Sequence, residues 1–338
     1  MNTTHLGTAL ILGAVLLDRL IGDPSWMLHP VVVMGWWIQR LRRCTERWAG
    51  DQPRRLRLGG GVITLLLVLG SGGIGWCLER LIWLPAPWSW FTNLVLMIGL
   101  ASALAARSLA VSVSAVLTAL PRGADTELNP ARQKLAWIVG RDVERLDEAG
   151  ILRAAAETAS ENAVDGIFAP LFWMGIGLLS WSFVPTGPGP LALAWAFKAS
   201  STLDSMLGYK HGHLRWLGTA GARLDDLLTW LPCRLVMLTL PLVSRPWTSW
   251  FALVVAAERD GASDPSPNAG RSEAIYAHCA GVRLGGRNRY IRGWVDKPIL
   301  AAKQPPADQA GIRRILGLNL RLQGLWLLSL ILLALAAQ

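Results

Sequence analysis

Five apolar runs close to membrane-spanning length dominate the sequence and restrict the folds open to it. A helix needs about 20 consecutive apolar residues to cross the hydrocarbon core of a bilayer. The runs lie around residues 59–83, 91–119, 164–184, 226–244 and 315–337. Three shorter runs are interrupted by charges or proline and could be spans, half-spans or buried amphipathic helices: 6–21, 188–207 and 247–257. We therefore expect an all-α, polytopic helical membrane protein with about five to eight spans.

The basic residues are distributed unevenly among the connecting segments. The net charge of +10 could by itself indicate nucleic-acid binding. Lysine and arginine instead crowd four segments, which are residues 39–58, 120–163, 208–225 and 258–313. The short connectors hold at most one such residue: Pro85–Trp90, Pro185–Pro190 and Val243–Ser249, where only Arg245 is basic. This alternation predicts that the four basic segments face the cytoplasm, with the lipid bilayer and no nucleic acid as a partner.

The longer basic segments are too short to form independent domains. Residues 120–163 are polar and favour helix, with Asn129 and Pro130 typical of a helix start. Residues 258–313 are rich in Gly, Pro and Asn, without strand alternation, and predict loops with short helices. We expect a cytoplasmic cap on one integral membrane domain that covers residues 1–338.

An acidic stripe precedes one of the apolar runs. Glu157, Glu161 and Asp165 recur every four residues, so a helix would place the three carboxylates along one face. Like charges at this spacing repel each other unless a cation lies between them. The stripe therefore indicates either a cation site or a solvated acidic turn that caps a membrane helix.

Further polar groups lie at other helix ends. Asp23 and His29 surround a Pro-rich turn after the first apolar run, where Asp23 could also be a simple turn cap. Lys198, Ser201 and Ser205 share a helix face with Asp204 alongside, and an ion pair of Lys198 with an aspartate would explain them structurally. Two adjacent acids, Asp225 and Asp226, begin an apolar helix, where the helix dipole alone would favour them.

One familiar signature is excluded by its context. Residues 70–75 match GxGxxG, but they lie inside an apolar run with no strand before them. A close-packing helix face explains them better than a dinucleotide site.

Taken in order, these motifs resemble the CobD/CbiB family of integral membrane adenosylcobinamide-phosphate synthases along nearly the whole chain. The matching motifs are Gly22-Asp23-Pro24 with His29-Pro30; Glu157-Thr158-x-Ser160-Glu161-Asn162-x-x-Asp165-Gly166; Thr202-Leu203-Asp204-Ser205-Met206 with Gly208-Tyr209-Lys210; Ala222-Arg223-Leu224-Asp225-Asp226; and Ser266-Pro267-Asn268-Ala269-Gly270 with Gly281-Val282-Arg283-Leu284-Gly285-Gly286. Ser201 departs from the family pattern, which usually has Asn there.

The resemblance implies amide ligation at the cytoplasmic face of a bacterial inner membrane. An aminoalcohol phosphate, of either aminopropanol or ethanolamine, would be joined to adenosylcobyric acid with ATP and Mg²⁺. No tightly bound organic cofactor is expected, and other membrane enzymes of late cobalamin assembly are possible partners. The expected metal ligands are Glu157, Glu161, Asp165, Asp225 and Asp226.

The resemblance also implies roles for the remaining motif residues. The expected catalytic group is Asp23, His29, Glu161, Lys198 and Asp204. The expected substrate and phosphate ligands are Ser160, Asn162, Ser201, Ser205, Tyr209, Lys210, Arg223, Asn268, Gly285 and Gly286.

Two other classes stay open at this point. A secondary transporter would also carry charges within its membrane helices, but it should place them in broken helices at the bilayer midplane. A non-catalytic sensory membrane protein of the AmpE type is the second alternative. Retention of Glu161, Asp165 and the Ser266–Gly270 loop favours catalysis.

Overall fold

The computed structural model describes residues 3–24, 26, 28–121, 127–244, 249–290 and 293–336. Arg245, in the short connector that we expected opposite the cytoplasm, lies outside the described residues. The described chain forms two compact units: Met1–Ala105, Ala169–Thr229 and Leu327–Gln338 make unit 1, and Ala106–Phe168 and Trp230–Trp326 make unit 2. The expectation of one domain over residues 1–338 stays a prediction.

Among the described residues the regular structure is helical apart from one hairpin, which confirms the expected fold class. The helices are α1 Thr3–Leu20, α2 Pro30–Ala49, α3 Pro53–Arg80, α4 Trp88–Ala101, α5 Ala106–Thr118, α6 Asn129–Ala136, α7 Glu148–Ala163, α8 Ala169–Phe183, α9 Pro190–Leu207, α10 Leu214–Leu217, α11 Thr219–Val243, α12 Trp250–Gly261, α13 Ala269–Ala280 and α14 Gln309–Ala336. The strands are β1 Leu284–Tyr290 and β2 Gly293–Leu300.

Each of the five long apolar runs lies in a helical stretch long and apolar enough to cross a membrane. These stretches are Pro53–Trp83, Trp88–Thr118, Glu148–Phe183, Thr219–Val243 and Gln309–Ala336. Four of them begin six or more residues before the apolar run that predicted them, because polar helix from the basic segments continues into the apolar part. The shorter runs form α1, α9 and α12.

The acidic stripe is regular only as far as Glu161. Helix α7 begins at its cap Asp147, whose Oδ1 accepts a hydrogen bond from Gly150 N at 2.8 Å. A π-helical turn at Val164–Phe168 then separates α7 from α8. Pro170 follows this turn, and a proline ring would clash with the carbonyl four residues earlier in a regular α-helix. Asp165 lies in this wider turn, so the straight stack of three carboxylates stays a prediction there.

The expectation of loops and short helices over residues 258–313 is wrong for its central part. Strands β1 and β2 pair there as an antiparallel hairpin, with Gly286 opposite Lys297 and Asn288 opposite Val295. The register shifts between Gly285 and Gly286, which both have positive φ angles of 77° and 91°. A Cβ at Gly285 would come within 1.9 Å of the Pro298 carbonyl oxygen, so this bulge requires glycine.

A buried polar link crosses the core of unit 2. Tyr276 is fully buried, and its hydroxyl donates to Oδ1 of Asn319. The Nδ2 of Asn319 donates to the Ala159 carbonyl at 3.2 Å. Helices α7, α13 and α14 are thereby joined by hydrogen bonds as well as by apolar packing.

In unit 1, a buried carboxylate holds the beginning of α9. Glu79, near the end of α3, accepts hydrogen bonds from the backbone amides of Gly189 at 2.8 Å, Leu191 at 2.6 Å and Ala192 at 3.2 Å. The indole of Trp76 donates to the Thr186 carbonyl at 3.0 Å. The connector before α9 therefore lies at the end of α3, and three amides without helical partners are satisfied.

The opposite end of α3 meets the other basic segment of unit 1. His213 Nε2 lies 2.7 Å from Oδ1 of Asp51. The guanidinium of Arg57 lies 4.3 Å from the centre of the Trp216 ring. The segments 39–58 and 208–225, which we expected on one side of the membrane, thus contact each other in unit 1.

Candidate functional site

Glu157 anchors the β-hairpin to helix α7 in unit 2. Its Oε1 accepts a hydrogen bond from Gly285 N at 2.9 Å, and its Oε2 accepts one from Nη2 of Arg141. The Glu157 side chain is only 5% exposed. Both carboxylate oxygens are thereby used by the protein itself. We therefore do not retain Glu157 as a metal ligand, nor the Gly285 amide as a free anion-binding donor.

Two arginines complete this anchor. The Nη1 of Arg141 donates to Oδ1 of Asn288. Arg153 donates to the carbonyls of Gly285 and Arg287, both at 2.9 Å, and to Asn288 Oδ1 at 3.0 Å. The planar guanidinium groups reach several acceptors at once, which a lysine could not do. The sequence did not indicate either arginine, because their acceptors on β1 lie more than a hundred residues away.

Lys297 on β2 brings together acids from separate segments. Its Nζ lies 3.2 Å from Oε1 of Glu273 on α13 and 3.7 Å from Oδ2 of Asp264. The Glu273 and Asp264 side chains are 2% and 4% exposed. Glu161 interacts electrostatically with Lys297, Asp264 and Glu157. We call Glu161, Asp264, Glu273 and Lys297 the carboxylate cluster.

The charges of this cluster shift its proton equilibria. Burial raises the pKa of Glu273 well above its ordinary value, and the nearby Glu161 carboxylate adds to the rise. Burial alone would lower the pKa of Lys297, but Glu273, Glu161 and Asp264 outweigh it and raise that pKa. One ammonium faces three carboxylates, so the cluster favours an additional cation or retained protons.

The carboxylate cluster is chemically compatible with Mg²⁺. This ion commonly uses one or two protein carboxylates and takes its other ligands from water and substrate phosphates. Within the described ranges, no three His, Cys, Asp or Glu side chains converge on a ready-made metal position. Glu161, which is partly exposed, is the acid of the cluster best placed to reach a bound ion from solvent.

The loop Ser266–Gly270 is tied to the same cluster by Asp264. Oδ1 of Asp264 accepts from Ser266 N at 2.8 Å, and Ser266 Oγ accepts from Ala269 N at 3.1 Å at the start of α13. The buried Asn268 accepts a hydrogen bond from Arg234 Nη1 at 2.6 Å through its Oδ1. A Cβ at Gly270 would lie 2.2 Å from that of Asp264, so close loop packing requires this glycine.

An ion pair stands beside this loop. Arg271 binds Glu258 through two hydrogen bonds, of 2.8 and 2.7 Å. These hydrogen bonds lower the pKa of Glu258 below its ordinary range. Arg271 also donates to the Pro267 carbonyl at 3.1 Å, which fixes the loop from outside.

The other expected ligands on α7 and the turn after it have different surroundings. Ser160 is fully buried, and its hydroxyl lies 2.9 Å from the carbonyls of Ala156 and Glu157 in its own helix, so we do not retain it as a phosphate ligand. Asn162 is exposed. Asp165 interacts electrostatically with Cys233 of α11. Gly286 keeps space for Arg153, whose Nη1 would be 3.1 Å from a Cβ there.

Asp23 and His29 form a pair in unit 1. His29 Nε2 lies 3.3 Å from Oδ1 of Asp23, while His29 Nδ1 accepts from Val31 N at 3.3 Å as the cap of α2. Because Nδ1 accepts this hydrogen bond, a neutral ring would carry its hydrogen on Nε2, on the side of Asp23. The pair that the sequence placed around one turn is therefore in contact.

The polar residues of α9 lie along its last three turns. Lys198, Ser201 and Ser205 are on one face, and Ser205 Oγ donates to the Ser201 carbonyl at 2.9 Å. Gly208 ends the helix, with its amide donating to the Asp204 carbonyl at 2.7 Å. A Cβ at Gly208 would lie 2.1 Å from Oδ1 of Asp204, so glycine lets this carboxylate fold over the helix end.

The remaining predicted residues of unit 1 surround the start of α11. Tyr209 and Lys210 are exposed, and Lys210 interacts electrostatically with Asp226. Arg223 is exposed one turn into α11, and Asp225 is partly buried. The expected metal ligands thus divide between the units, with Asp225 and Asp226 in unit 1 and Glu157, Glu161 and Asp165 in unit 2.

Comparison with known proteins gives a consistent family match. The family model described as CobD/Cbib protein matches residues 11–319. The cobalamin biosynthesis protein CobD of Synechocystis is 43% identical over 305 residues, covering 90% of this chain and 85% of its own. The cobalamin biosynthesis protein CbiB of Salmonella typhimurium is 38% identical over 325 residues, covering 95% and 94%. No solved structure matches this chain.

Proposed function

Because the chain belongs to the CobD/CbiB family of cobalamin biosynthesis proteins, we propose that it is an adenosylcobinamide-phosphate synthase. The reaction is the ATP-dependent ligation of an aminoalcohol phosphate to adenosylcobyric acid, which gives adenosylcobinamide phosphate. The aminoalcohol is aminopropanol or ethanolamine. We place the protein in a bacterial inner membrane with its active site facing the cytoplasm, as the charge alternation predicts.

The observation that carries the proposal is the charge imbalance of the carboxylate cluster. Glu161, Asp264 and Glu273 surround the single ammonium of Lys297. A site for ATP and a phosphorylated amine needs a divalent cation, and an excess of carboxylates attracts one. Mg²⁺ would be held by Glu161 with a second acid of the cluster, and it would neutralise phosphate charge there.

The ligation requires that the amine lose a proton. The C–N bond forms as the amine nitrogen attacks the activated carboxyl carbon, the carboxyl oxygen leaves together with the group that ATP transferred to it, and one proton leaves the nitrogen. Asp23 is our proposed proton acceptor, and His29, whose Nε2 lies 3.3 Å from its carboxylate, would position it. His29 thus acts as a positioning residue.

The cationic residues of unit 1 suit the phosphate of the aminoalcohol. Lys198 is partly buried on the polar face of α9, and its long side chain can extend along that helix to a phosphate. Lys210 and Arg223 are exposed near the start of α11 and add charge-assisted donors. The serines on the face of Lys198 supply hydroxyl groups beside it.

A purified-protein assay tests the proposal. The protein in detergent is incubated with adenosylcobyric acid, aminopropanol phosphate and Mg-ATP, and the corrinoid products are identified by mass spectrometry. Ethanolamine phosphate is tested in parallel. Formation of the amide only with ATP and Mg²⁺ supports the ligase, whereas no product under any of these conditions refutes it.

A matched pair of variants tests the cluster. Glu161→Gln should reduce ligation by at least about a hundredfold and raise the Mg²⁺ concentration needed for half-maximal rate, because a carboxylate ligand is lost. Glu148→Gln, which removes the same charge at an exposed site on the same helix, should keep the activity. Near-normal turnover and an unchanged Mg²⁺ dependence in Glu161→Gln would refute the metal role.

A further inference from the structure

A cavity of about 490 Å³ opens beside the first half of α14 in unit 2. Its lining combines α14 with one residue each from α13 and from the end of α11: Ser244, Cys279, Ala310, Arg313, Arg314, Gly317, Leu318 and Arg321. Three of these residues are arginines, and none of them is acidic. The cavity shares no residue with the carboxylate cluster.

The three arginines project from one side of α14. Arg313, Gly317 and Arg321 are spaced by four residues, and Arg314 lies three residues before Gly317 and seven before Arg321. The Nε of Arg314 donates to the Ala280 carbonyl at 2.8 Å, which fixes its guanidinium at the cavity wall. Three positive charges around one cavity repel each other, so the arrangement is more favourable with an anion among them.

The neutral residues of the cavity wall do not repel an anion. Burial raises the pKa of the Cys279 thiol to about 11, so the thiol stays protonated at neutral pH. The adjacent Ser244 hydroxyl is a further polar group of the wall. The cavity is open above Gly317, because a Cβ built on this residue would meet no atom within 4 Å.

We propose that this cavity binds a phosphate-bearing anion. Guanidinium groups match phosphate oxygens in charge and in the geometry of paired hydrogen bonds. The phosphate has two possible sources: a soluble phosphorylated compound, or the headgroup of an anionic lipid, because α14 is long and apolar enough to cross a membrane. The site goes beyond the proposed ligase and does not depend on it.

Two variants remove the site by different means. Arg321→Gln removes one positive charge from the cavity. Gly317→Leu keeps all three arginines but fills the space between them, and the open surroundings of Gly317 allow the larger side chain. Arg283→Gln is the control, because Arg283 is an exposed arginine of the same unit outside the cavity.

Binding is measured with the full chain in neutral detergent, using inorganic pyrophosphate in calorimetry and phosphatidylglycerol in native mass spectrometry. We expect Arg321→Gln and Gly317→Leu to weaken the binding of one probe by about tenfold or more, the effect of a lost charge-assisted contact. Arg283→Gln should leave the binding of that probe unchanged. Thermal unfolding of each variant verifies that it is folded.

The two probes also identify the source of the phosphate. Loss of pyrophosphate binding alone supports a soluble ligand, and loss of phosphatidylglycerol binding alone supports a lipid headgroup. If neither probe binds to the parent protein, or if Arg283→Gln weakens binding as much as Arg321→Gln does, the site does not exist. Equal binding by parent and Gly317→Leu protein would overturn the proposal as well, since the leucine would occupy the space between the arginines.

Discussion

The Lys297 ammonium lies 3.2 Å from a Glu273 carboxylate whose side chain is only 2% exposed. Glu273 lies on α13 and Lys297 on β2, and no sequence pattern predicts that they meet. Both residues are outside the motifs that match the family. Their contact gives unit 2 a partly buried cation among its buried acids. Variants of these two residues therefore test the electrostatics of the carboxylate cluster directly.

Lys297→Met should lower the free energy of unfolding by about 3 kcal/mol, because buried carboxylates lose their counter-charge. The double variant Lys297→Met, Glu273→Gln should recover part of this loss, since it removes the carboxylate that would be left unpaired. Denaturant unfolding in detergent measures both. Strictly additive losses would contradict an energetic coupling of the two residues.

The stability of unit 2 should depend on pH through Glu273. Its folded-state pKa is raised, so the native state binds this proton more tightly than the unfolded chain does. That contribution is complete below the ordinary glutamate pKa of about 4.3 and is lost as pH rises through the raised value. Between pH 4.5 and 8, unfolding measurements should show a flatter decline for Glu273→Gln than for the parent protein. Identical pH profiles would exclude Glu273 as the titrating group.

Arg141 should be essential to the docking of the hairpin. Arg141→Ala leaves Glu157 buried with one carboxylate oxygen unsatisfied, and we expect a loss of about 3 kcal/mol in unfolding free energy. Arg141→Lys should recover little, because one ammonium cannot bond to both Glu157 and Asn288 in the same geometry. Arg145→Ala, at an exposed position of the same segment, is the control. Faster hydrogen exchange of β1 amides only in the Arg141 variants would identify the hairpin as the affected element.

Two adjacent glycines of α3 should respond oppositely to alanine. A Cβ at Gly60 would lie 1.9 Å from the Leu217 carbonyl oxygen, whereas a Cβ at Gly61 would meet nothing within 4 Å. Gly60→Ala should therefore lower the melting temperature markedly by forcing α3 away from α10. Gly61→Ala should be neutral or stabilising by up to about 1 kcal/mol. Equal melting temperatures would show that the close approach of α3 to Leu217 is not needed.

Labelling of single cysteines should separate the two ends of unit 1. In a background without the native cysteines, Asp51→Cys should be protected from a membrane-impermeant reagent in intact cells, and Thr186→Cys should react. Both positions are exposed in the structure. The reverse pattern would place segments 39–58 and 208–225 outside the cytoplasm, and with them the proposed phosphate ligands Lys210 and Arg223.

The helices were predictable because a bilayer demands long apolar stretches, and such stretches are visible in a single sequence. The hairpin of β1 and β2 was not predictable from the sequence. Strand β1 contains two glycines, and alternation along β2 is interrupted by a proline, so neither resembles a half-buried strand. What holds the hairpin in place is its docking onto α7 through Arg141, Arg153 and Glu157, which are tertiary contacts.

The candidate site was predicted in part. Helical spacing correctly placed Lys198, Ser201 and Ser205 on one face, and the turn between Asp23 and His29 brought that pair together. The π-helical turn that contains Asp165 was not predicted, because a regular period of 3.6 residues ignores the effect of Pro170 on the turn before it. Glu273 and Lys297 were missed because each is unremarkable until the chain folds and places one beside the other.

The hydrogen bonds between Glu79 and the start of α9 constrain the order in which the helices of unit 1 pack during synthesis. The acceptor and its amide donors are 110 to 113 residues apart. At about 5–20 residues per second, the ribosome delivers those donors roughly 5–20 s after Glu79. During that interval the Glu79 carboxylate lacks these amide donors, so α3 and the start of α9 can reach their final packing only after α9 has been synthesised. The helix that carries Lys198 thus also supplies the hydrogen-bond donors of a carboxylate synthesised long before it.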